Sequence, residues 1–361
     1  MNDIAVLAFS KEVINDLKDR LSRHRPFIPP LEGVQHQYGI NTNLLNKIVE
    51  YWKNEYNWKE RETLLNKYPH FKTKIQGLDI HFIHVKPTTA VSEDIQVLPI
   101  LLLHGWPGSV REFYNLIPLL TTPREDQKFV FEVIVPSLPG YGFSDAAVRP
   151  GLGPPQVAVI FKNLMVRLGF EKFYVQGGDW GAIITSNIAA MFPQNVLGLH
   201  CNMPYARTPW ATIKQILGSF YPSWVVDKPN QHRVYPLKTF FGNFILETGY
   251  MHLQATKPDT IGTALNDTPV GLAAYILEKF ISWTDHSLIG KEDGGLERKF
   301  KLDDLLDNVM IYWVTESITT SVCLYAENFS KENRTLQLEG MKTKQNYSLL
   351  LTLSYSSKGM E

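Results

Sequence analysis

The stretch from Lys172 to Phe192, KFYVQGGDWGAIITSNIAAMF, constrains this chain more than any other. An apolar run breaks into small-x-acid-x-small and then resumes at helical length, which describes a strand, a tight turn and a helix. Small residues at Gly177 and Gly181 let the turn close, so that the central side chain, Asp179, stands clear above the end of the sheet. A turn of this shape displays a nucleophile. The plainer reading is a Gly-rich turn in which Asp179 caps the helix over Ala182–Phe192, a role that Asp fills well.

Three other apolar runs share the pattern. Val97–Leu103 (VLPILLL) ends at HGWPG, Phe129–Val135 (FVFEVIV) ends at PSLPGYG, and Val196–Met203 (VLGLHCNM) is the fourth run in order. Strands apolar on both sides and followed by helical segments indicate a parallel sheet with covered faces. In Val157–Leu168 the apolar residues Val157, Ile160, Phe161, Leu164, Met165 and Leu168 recur at helical spacing, and Gly169 follows as a C-terminal cap. The expected fold class is α/β, with a mostly parallel sheet. Residues 1–94 read as a helical N-terminal meander, with helices around Lys11–Leu21 and Leu44–Asn54 separated by Pro29, Pro30 and Gly33. Residues 95–204 form the α/β core. In 205–330 the rhythm turns helical and aromatic (Trp210, Phe220, Tyr221, Trp224, Phe240, Phe241, Tyr250, Phe280, Trp283), as in a lid that returns to the core. Residues 331–361 are polar and divergent.

Composition narrows the classes of function. A length of 361 residues allows two or three domains, or one large domain with an insertion. Lys+Arg 36 against Asp+Glu 36 leaves no net charge to attract nucleic acid or an anionic membrane. Two cysteines cannot frame a disulfide scaffold and point to a reducing compartment. No run approaches the roughly 18 apolar residues of a membrane span. The start, MNDIAVLAFSKEV, is too short and too acidic for a signal peptide. On these grounds the chain is expected to be soluble and intracellular, with no metal and no cofactor.

An aspartate nucleophile restricts the chemistry. Attack on an ester or amide gives an anhydride, a poor intermediate. Attack on a tetrahedral carbon bearing oxygen or halide gives an alkyl ester that water can hydrolyse, so one hard step becomes two easier ones. Epoxide opening and dehalogenation both fit. HGWPG at His104–Gly108 follows its strand where backbone N–H groups aimed at developing negative charge are needed. Those amides are assigned to Trp106 and to Trp180, the residue after Asp179. In isolation HGWPG reads as an ordinary strand-to-loop turn; the second motif downstream changes the balance.

With these residues in view the chain resembles microsomal epoxide hydrolase, a family of the α/β-hydrolase fold. The matching stretches are Tyr68–Pro87, HGWPGSVREFYNLIPLL, FEVIVPSLPGYGFS, FYVQGGDWG, Thr256–Phe280 and Glu292–Phe300, and the likeness runs from about residue 10 to about residue 342. The resemblance implies that Asp179 is the nucleophile and that Tyr250 (in ETGYMHLQ) and Tyr325 (in CLYAEN) polarise the epoxide. Substrate binding falls on Trp106, Trp180, Tyr250 and Tyr325. Phenols suit the task, since an opening epoxide needs proton donors at neutral pH. Either tyrosine alone would read as lid packing, because the chain has 16. The implied partners are a small lipophilic epoxide and water, with peripheral membrane contact, and the implied site is the endoplasmic reticulum or microsomal membrane. The implied roles are detoxification, xenobiotic metabolism and aromatic hydrocarbon catabolism.

The chain departs from that family in four ways. The N-terminal membrane anchor is missing, which allows a cytosolic location. Glu316, in YWVTES, stands where the family has Gly. The match stops beyond Lys342, so neither the acidic partner nor the GGHF-type histidine follows. No histidine comes after His286. Ester formation needs no histidine, but deprotonating the hydrolytic water does, and loss of the base is expected to slow that step on the order of 10²–10⁴-fold. His104 is expected to be structural, and His252 and His286 show no acidic partner at a useful spacing. Two other readings stand beside this one: a catalytically dead apolar-ligand-binding isoform, and a haloalkane-dehalogenase-like hydrolase, which would want indole N–H groups around a halide.

Overall fold

Short polar caps set where the N-terminal helices begin. The Ser10 hydroxyl accepts from the Val13 amide at 3.2 Å and starts helix Lys11–Ser22; Asn41 accepts from the Asn43 amide at 2.9 Å and starts helix Thr42–Asn54. The first buries Leu17 and Leu21, one turn apart, and the second buries Leu44, Leu45, Ile48, Val49 and Trp52 along one stripe. A third helix, Trp58–Leu65, follows from the Asn57 cap. The computed structural model describes residues 9–87, 94–204 and 209–333, together with a two-residue strand at Asn2–Asp3. The divergent segment 331–361 thus lies outside the described residues beyond Asn333.

Among the described residues the sheet has seven strands, β1 (Asn2–Asp3), β2 (His70–Ile75), β3 (Leu78–Val85), β4 (Gln96–Leu103), β5 (Phe129–Pro136), β6 (Phe173–Gly177) and β7 (Val196–Cys201), in the order β1-β2-β3-β5-β4-β6-β7. The four apolar runs are β4 to β7, and they pair in parallel. The other half is antiparallel: β3 pairs with β5, and β2 and β3 form a hairpin. Residues 1–94, expected as a purely helical meander, therefore also supply sheet. The hairpin turn is Gln76-Gly77, both at positive φ (49° and 89°), the conformation that matches the twist of a two-residue hairpin.

The core is layered as α/β chemistry requires. Helix Pro154–Arg167 buries Val157, Ile160, Phe161, Leu164 and Met165, and Gly169 ends it at φ 94°. Helix Trp180–Met191 buries Ile184 and Ile188. After β7 the elements among the described residues are all helical. Its aromatic segment divides in two. Trp210, Phe220 and Trp224 are 62%, 74% and 78% exposed, whereas Tyr250, Phe280 and Trp283 pack on the core or on the ring cluster described below.

The topology locates a crevice. From β4 the chain passes to β5 on one side and to β6 on the other, and ligands bind outside the carboxyl ends of strands at such a switch point. Leu103 and Gly177 are register partners at those ends, so HGWPG and GGDWG leave the sheet side by side.

Candidate active site

The turn after β6 holds Asp179 at φ 50°, ψ −124°, in the left-handed half of the map that non-glycine residues avoid. Such strain costs on the order of 1–3 kcal/mol and persists only where the surroundings enforce it. Here the enforcement is close packing: a Cβ on Gly181 would collide with the Leu103 carbonyl, and a Cβ on Gly177 would collide with Gly181 itself. The start of helix Trp180–Met191 is thereby pressed onto the end of β4.

Asp179 makes no side-chain cap to its helix, which removes the plain capping reading. Its Oδ1 instead accepts from the Trp106 N–H at 2.9 Å, and the Trp180 N–H donates to the same carboxylate. Both amides expected from sequence thus converge on Asp179. Gly105 has to be bare, because a Cβ there would run into the Asp179 carboxylate. Burial pushes the Asp179 carboxyl up and the two amides pull it down; burial is the larger effect.

Aromatic rings roof this carboxylate. Tyr250, in helix Gly249–Thr256, stacks on Trp106 at 5.5 Å and 8°; Tyr325, in helix Ile318–Asn328, meets Trp180 edge-on at 4.6 Å. The two phenol rings lie 5.9 Å apart at 83°. Burial and then the Asp179 charge hold both phenols above their ordinary value. They are protonated at neutral pH and available as donors. The indole Nε1 atoms of Trp106 and Trp180 are buried without a hydrogen-bond partner.

The loop is clamped from behind by helix Leu302–Val314. Asn308 donates to the Pro107 carbonyl at 2.6 Å and the Tyr312 hydroxyl to the Gly108 carbonyl at 2.8 Å. Asp307, fully buried, accepts from Arg111 Nε at 2.8 Å, from Arg61 Nε at 2.8 Å and from the Tyr56 hydroxyl at 2.9 Å. His104 is structural, as expected. Its ring is buried, with Nε2 accepting from the Leu138 amide at 3.1 Å and Nδ1 set against the Gly105 carbonyl at 3.0 Å.

The chain that carries this geometry is similar in sequence and fold to known proteins. Residues 4–113 fit the model described as "Epoxide hydrolase N terminus", and residues 99–337 fit the "alpha/beta hydrolase fold". Juvenile hormone epoxide hydrolase 2 of Ctenocephalides felis is 56% identical over 337 residues, covering 93% of this chain and 72% of that protein. The chain belongs to the epoxide hydrolase family. Epoxide hydrolase 1 of Oryctolagus cuniculus is 51% identical, over 89% of this chain and 71% of that protein. The crystal structure of juvenile hormone epoxide hydrolase from the silkworm Bombyx mori superposes with a TM-score of 0.90 at 53% identity, covering 92% of this chain and 78% of that one.

This epoxide hydrolase also holds residues that sequence reasoning passed over. Lys279 sets its ammonium 4.8 Å over the Tyr250 ring, and Glu112 stands close enough to Asp179 to feel its charge. Neither carries a motif of its own; only the fold brings them to the site. His286, expected to have no acidic partner, lies with Nε2 3.7 Å from Glu247, across a sequence gap that spacing rules cannot bridge. Among the described residues no group of three or more His, Cys, Asp or Glu could hold a metal ion.

Proposed function

We propose that this epoxide hydrolase opens lipophilic epoxides to vicinal diols through an ester on Asp179. The observation that carries the reading is the Asp179 carboxylate, released from capping its helix, fixed by the Trp106 and Trp180 amides and facing two protonated phenols. One carboxylate oxygen attacks an epoxide carbon while Tyr250 and Tyr325 give the leaving oxygen a proton. The amides hold the other oxygen, on which negative charge develops when water later attacks the ester. Among the described residues, the groups that feel the Asp179 charge include Glu112, Tyr141, Tyr250, Tyr312 and Tyr325. In this reading ester hydrolysis is the slower half, and the ester accumulates.

The relatives named for juvenile hormone make an epoxide of that hormone's class the first substrate to try. A dehalogenase is disfavoured, because the two indole N–H groups are sealed among protein atoms rather than open to a halide. No helix of the described residues is long and apolar enough to cross a membrane. In this reading the exposed Trp210, Phe220 and Trp224 offer a peripheral membrane contact.

The test is intact-protein mass spectrometry after mixing with a styrene-oxide-type substrate. One adduct equivalent on the parent and none on Asp179→Asn is expected. An unmodified parent that makes no diol, or an Asp179→Asn variant that still carries the adduct, defeats the reading.

A further inference from the structure

The turn His104–Gly108 aims the Trp106 amide at Asp179, yet its own backbone does little to hold it. Strand β4 ends at Leu103, and among the described residues Gly105–Gly108 make no backbone-to-backbone hydrogen bond. Pro107 has no N–H to offer. Side chains hold the turn instead. On its inner side Asp179 Oδ1 takes the Trp106 N–H at 2.9 Å, and the His104 ring is set against the Gly105 carbonyl at 3.0 Å. On its outer side one helix takes two successive carbonyls: Asn308 donates to Pro107 at 2.6 Å, and the Tyr312 hydroxyl to Gly108 at 2.8 Å. The two donors are buried, and they lie four residues apart in helix Leu302–Val314, on one face.

The same helix is anchored at both ends of this contact. Asp307 accepts from Arg111 Nε at 2.8 Å, so the helix grips the segment at Pro107, Gly108 and Arg111. From the other side Arg61 Nε and the Tyr56 hydroxyl hold Asp307 at 2.8 and 2.9 Å. The inner side of the turn has no slack. A Cβ on Gly105 would overlap the Asp179 carboxylate, and one on Gly108 would come within 3.4 Å of the Gly105 carbonyl. A turn that shifted by about 1 Å would take the Trp106 N–H out of hydrogen-bond range of Oδ1.

We propose that Asn308 and Tyr312 are positioning residues for the reaction on Asp179, acting through the turn they hold. This rests on the ester mechanism proposed above. The Trp106 amide fixes Oδ1 of Asp179 and with it the plane of the carboxylate. That plane sets the direction from which the other oxygen meets the epoxide carbon. Attack needs that direction to be kept, and misplacement by about 1 Å can cost on the order of 10²-fold in rate. Binding the epoxide among the aromatic rings makes no such demand. Loss of either tie therefore slows ester formation and leaves epoxide affinity in place.

Rapid-quench mass spectrometry over a range of styrene oxide concentrations reads the limiting rate of ester formation and the half-saturating concentration. The proteins compared are the parent, Tyr312→Phe, Asn308→Leu, Tyr68→Phe and Asp179→Asn. Tyr68→Phe removes a like hydroxyl-to-carbonyl bond, to Tyr114 at 2.9 Å, from outside the turn. Tyr312→Phe and Asn308→Leu are each expected to lower the limiting rate on the order of 10-fold, with the half-saturating concentration within about 2-fold of the parent's. Tyr68→Phe is expected to keep the parent's rate. A parental limiting rate in Tyr312→Phe overturns the role. So does an equal loss in Tyr68→Phe, or a loss confined to the half-saturating concentration. Tyr312→Phe differs from the parent by one oxygen atom and decides the matter even if Asn308→Leu fails to fold. A parent that forms no more ester than Asp179→Asn instead defeats the underlying mechanism.

Discussion

Glu316 shows how one residue can carry a cost that its neighbours do not demand. Helix Leu302–Val314 ends in the paired bonds of a left-handed cap, Ser317 N–H to the Tyr312 carbonyl and Glu316 N–H to the Trp313 carbonyl, each at 3.2 Å. Helix Pro154–Arg167 ends the same way, with Phe170 bonded to Met165 and Gly169 to Val166. The second helix puts glycine at the left-handed position; the first puts an exposed glutamate there, at φ 53°. A side chain in that conformation costs about 1–2 kcal/mol, part of which glycine returns through its freer unfolded chain. Glu316→Gly is expected to stabilise by about 0.5–1 kcal/mol, raising the urea midpoint with the slope unchanged. A lower midpoint would mean that the glutamate makes a compensating contact. Asp179 carries the same sign of φ for a different reason. There the collisions at Gly177 and Gly181 enforce the turn, and the strained residue is the one that reacts.

Among elements, the joint between the N-terminal helices and the oxyanion turn is ionic. Asp307 is fully buried and shared by Arg61 and Arg111, one from helix Trp58–Leu65 and one from the turn after HGWPG. Removing one partner of a buried pair leaves the others desolvated and uncompensated, at about 3–5 kcal/mol. Asp307→Asn should lower the unfolding free energy by roughly 3 kcal/mol, since Asp304 still faces both guanidinium groups. Arg124→Ala, which breaks the exposed pair with Asp126, should cost under about 1 kcal/mol. Equal costs in urea titrations would show the buried cluster to be dispensable. None of this joint was legible in the sequence, because Arg61, Arg111 and Asp307 lie far apart in the chain and make no motif. What was legible was local: four apolar runs, two glycine-bearing turns and the helical period of Val157–Leu168. The β2–β3 hairpin lay between. Its Gln76-Gly77 turn signals a hairpin, but alternation over HFKTKI is weak where Lys and Thr occupy the half-covered face. Tyr250 and Tyr325 reached the site only through family resemblance, since nothing in their spacing sets them above the other tyrosines.

For the molecule as a whole, buried titratable groups of opposite sign set the pH range in which it is most stable. His104 falls from its ordinary 6.5 to about 4 because burial disfavours the charged ring, and the Leu138 amide already occupies Nε2. His81 is lowered in the same sense, chiefly by burial and then by His70. A folded-state value below the unfolded one is stability that is present above pH 6.5 and lost as the pH falls. For His104 that amounts to about 3 kcal/mol between pH 6.5 and 4. Glu112 and Asp179 are raised, so their contribution is complete below the ordinary carboxylate range and is lost as the pH rises, through about 8 for Glu112. Because water reaches Glu112, screening makes that limb the shallower one. The melting temperature is therefore expected to peak near pH 6.5, dropping steeply on the acid side and gently on the alkaline side. Glu112→Gln should flatten the alkaline limb and leave the acid limb in place, as read by differential scanning fluorimetry from pH 4 to 9. An alkaline limb unchanged by Glu112→Gln would mean that its carboxyl ionises as an ordinary surface glutamate.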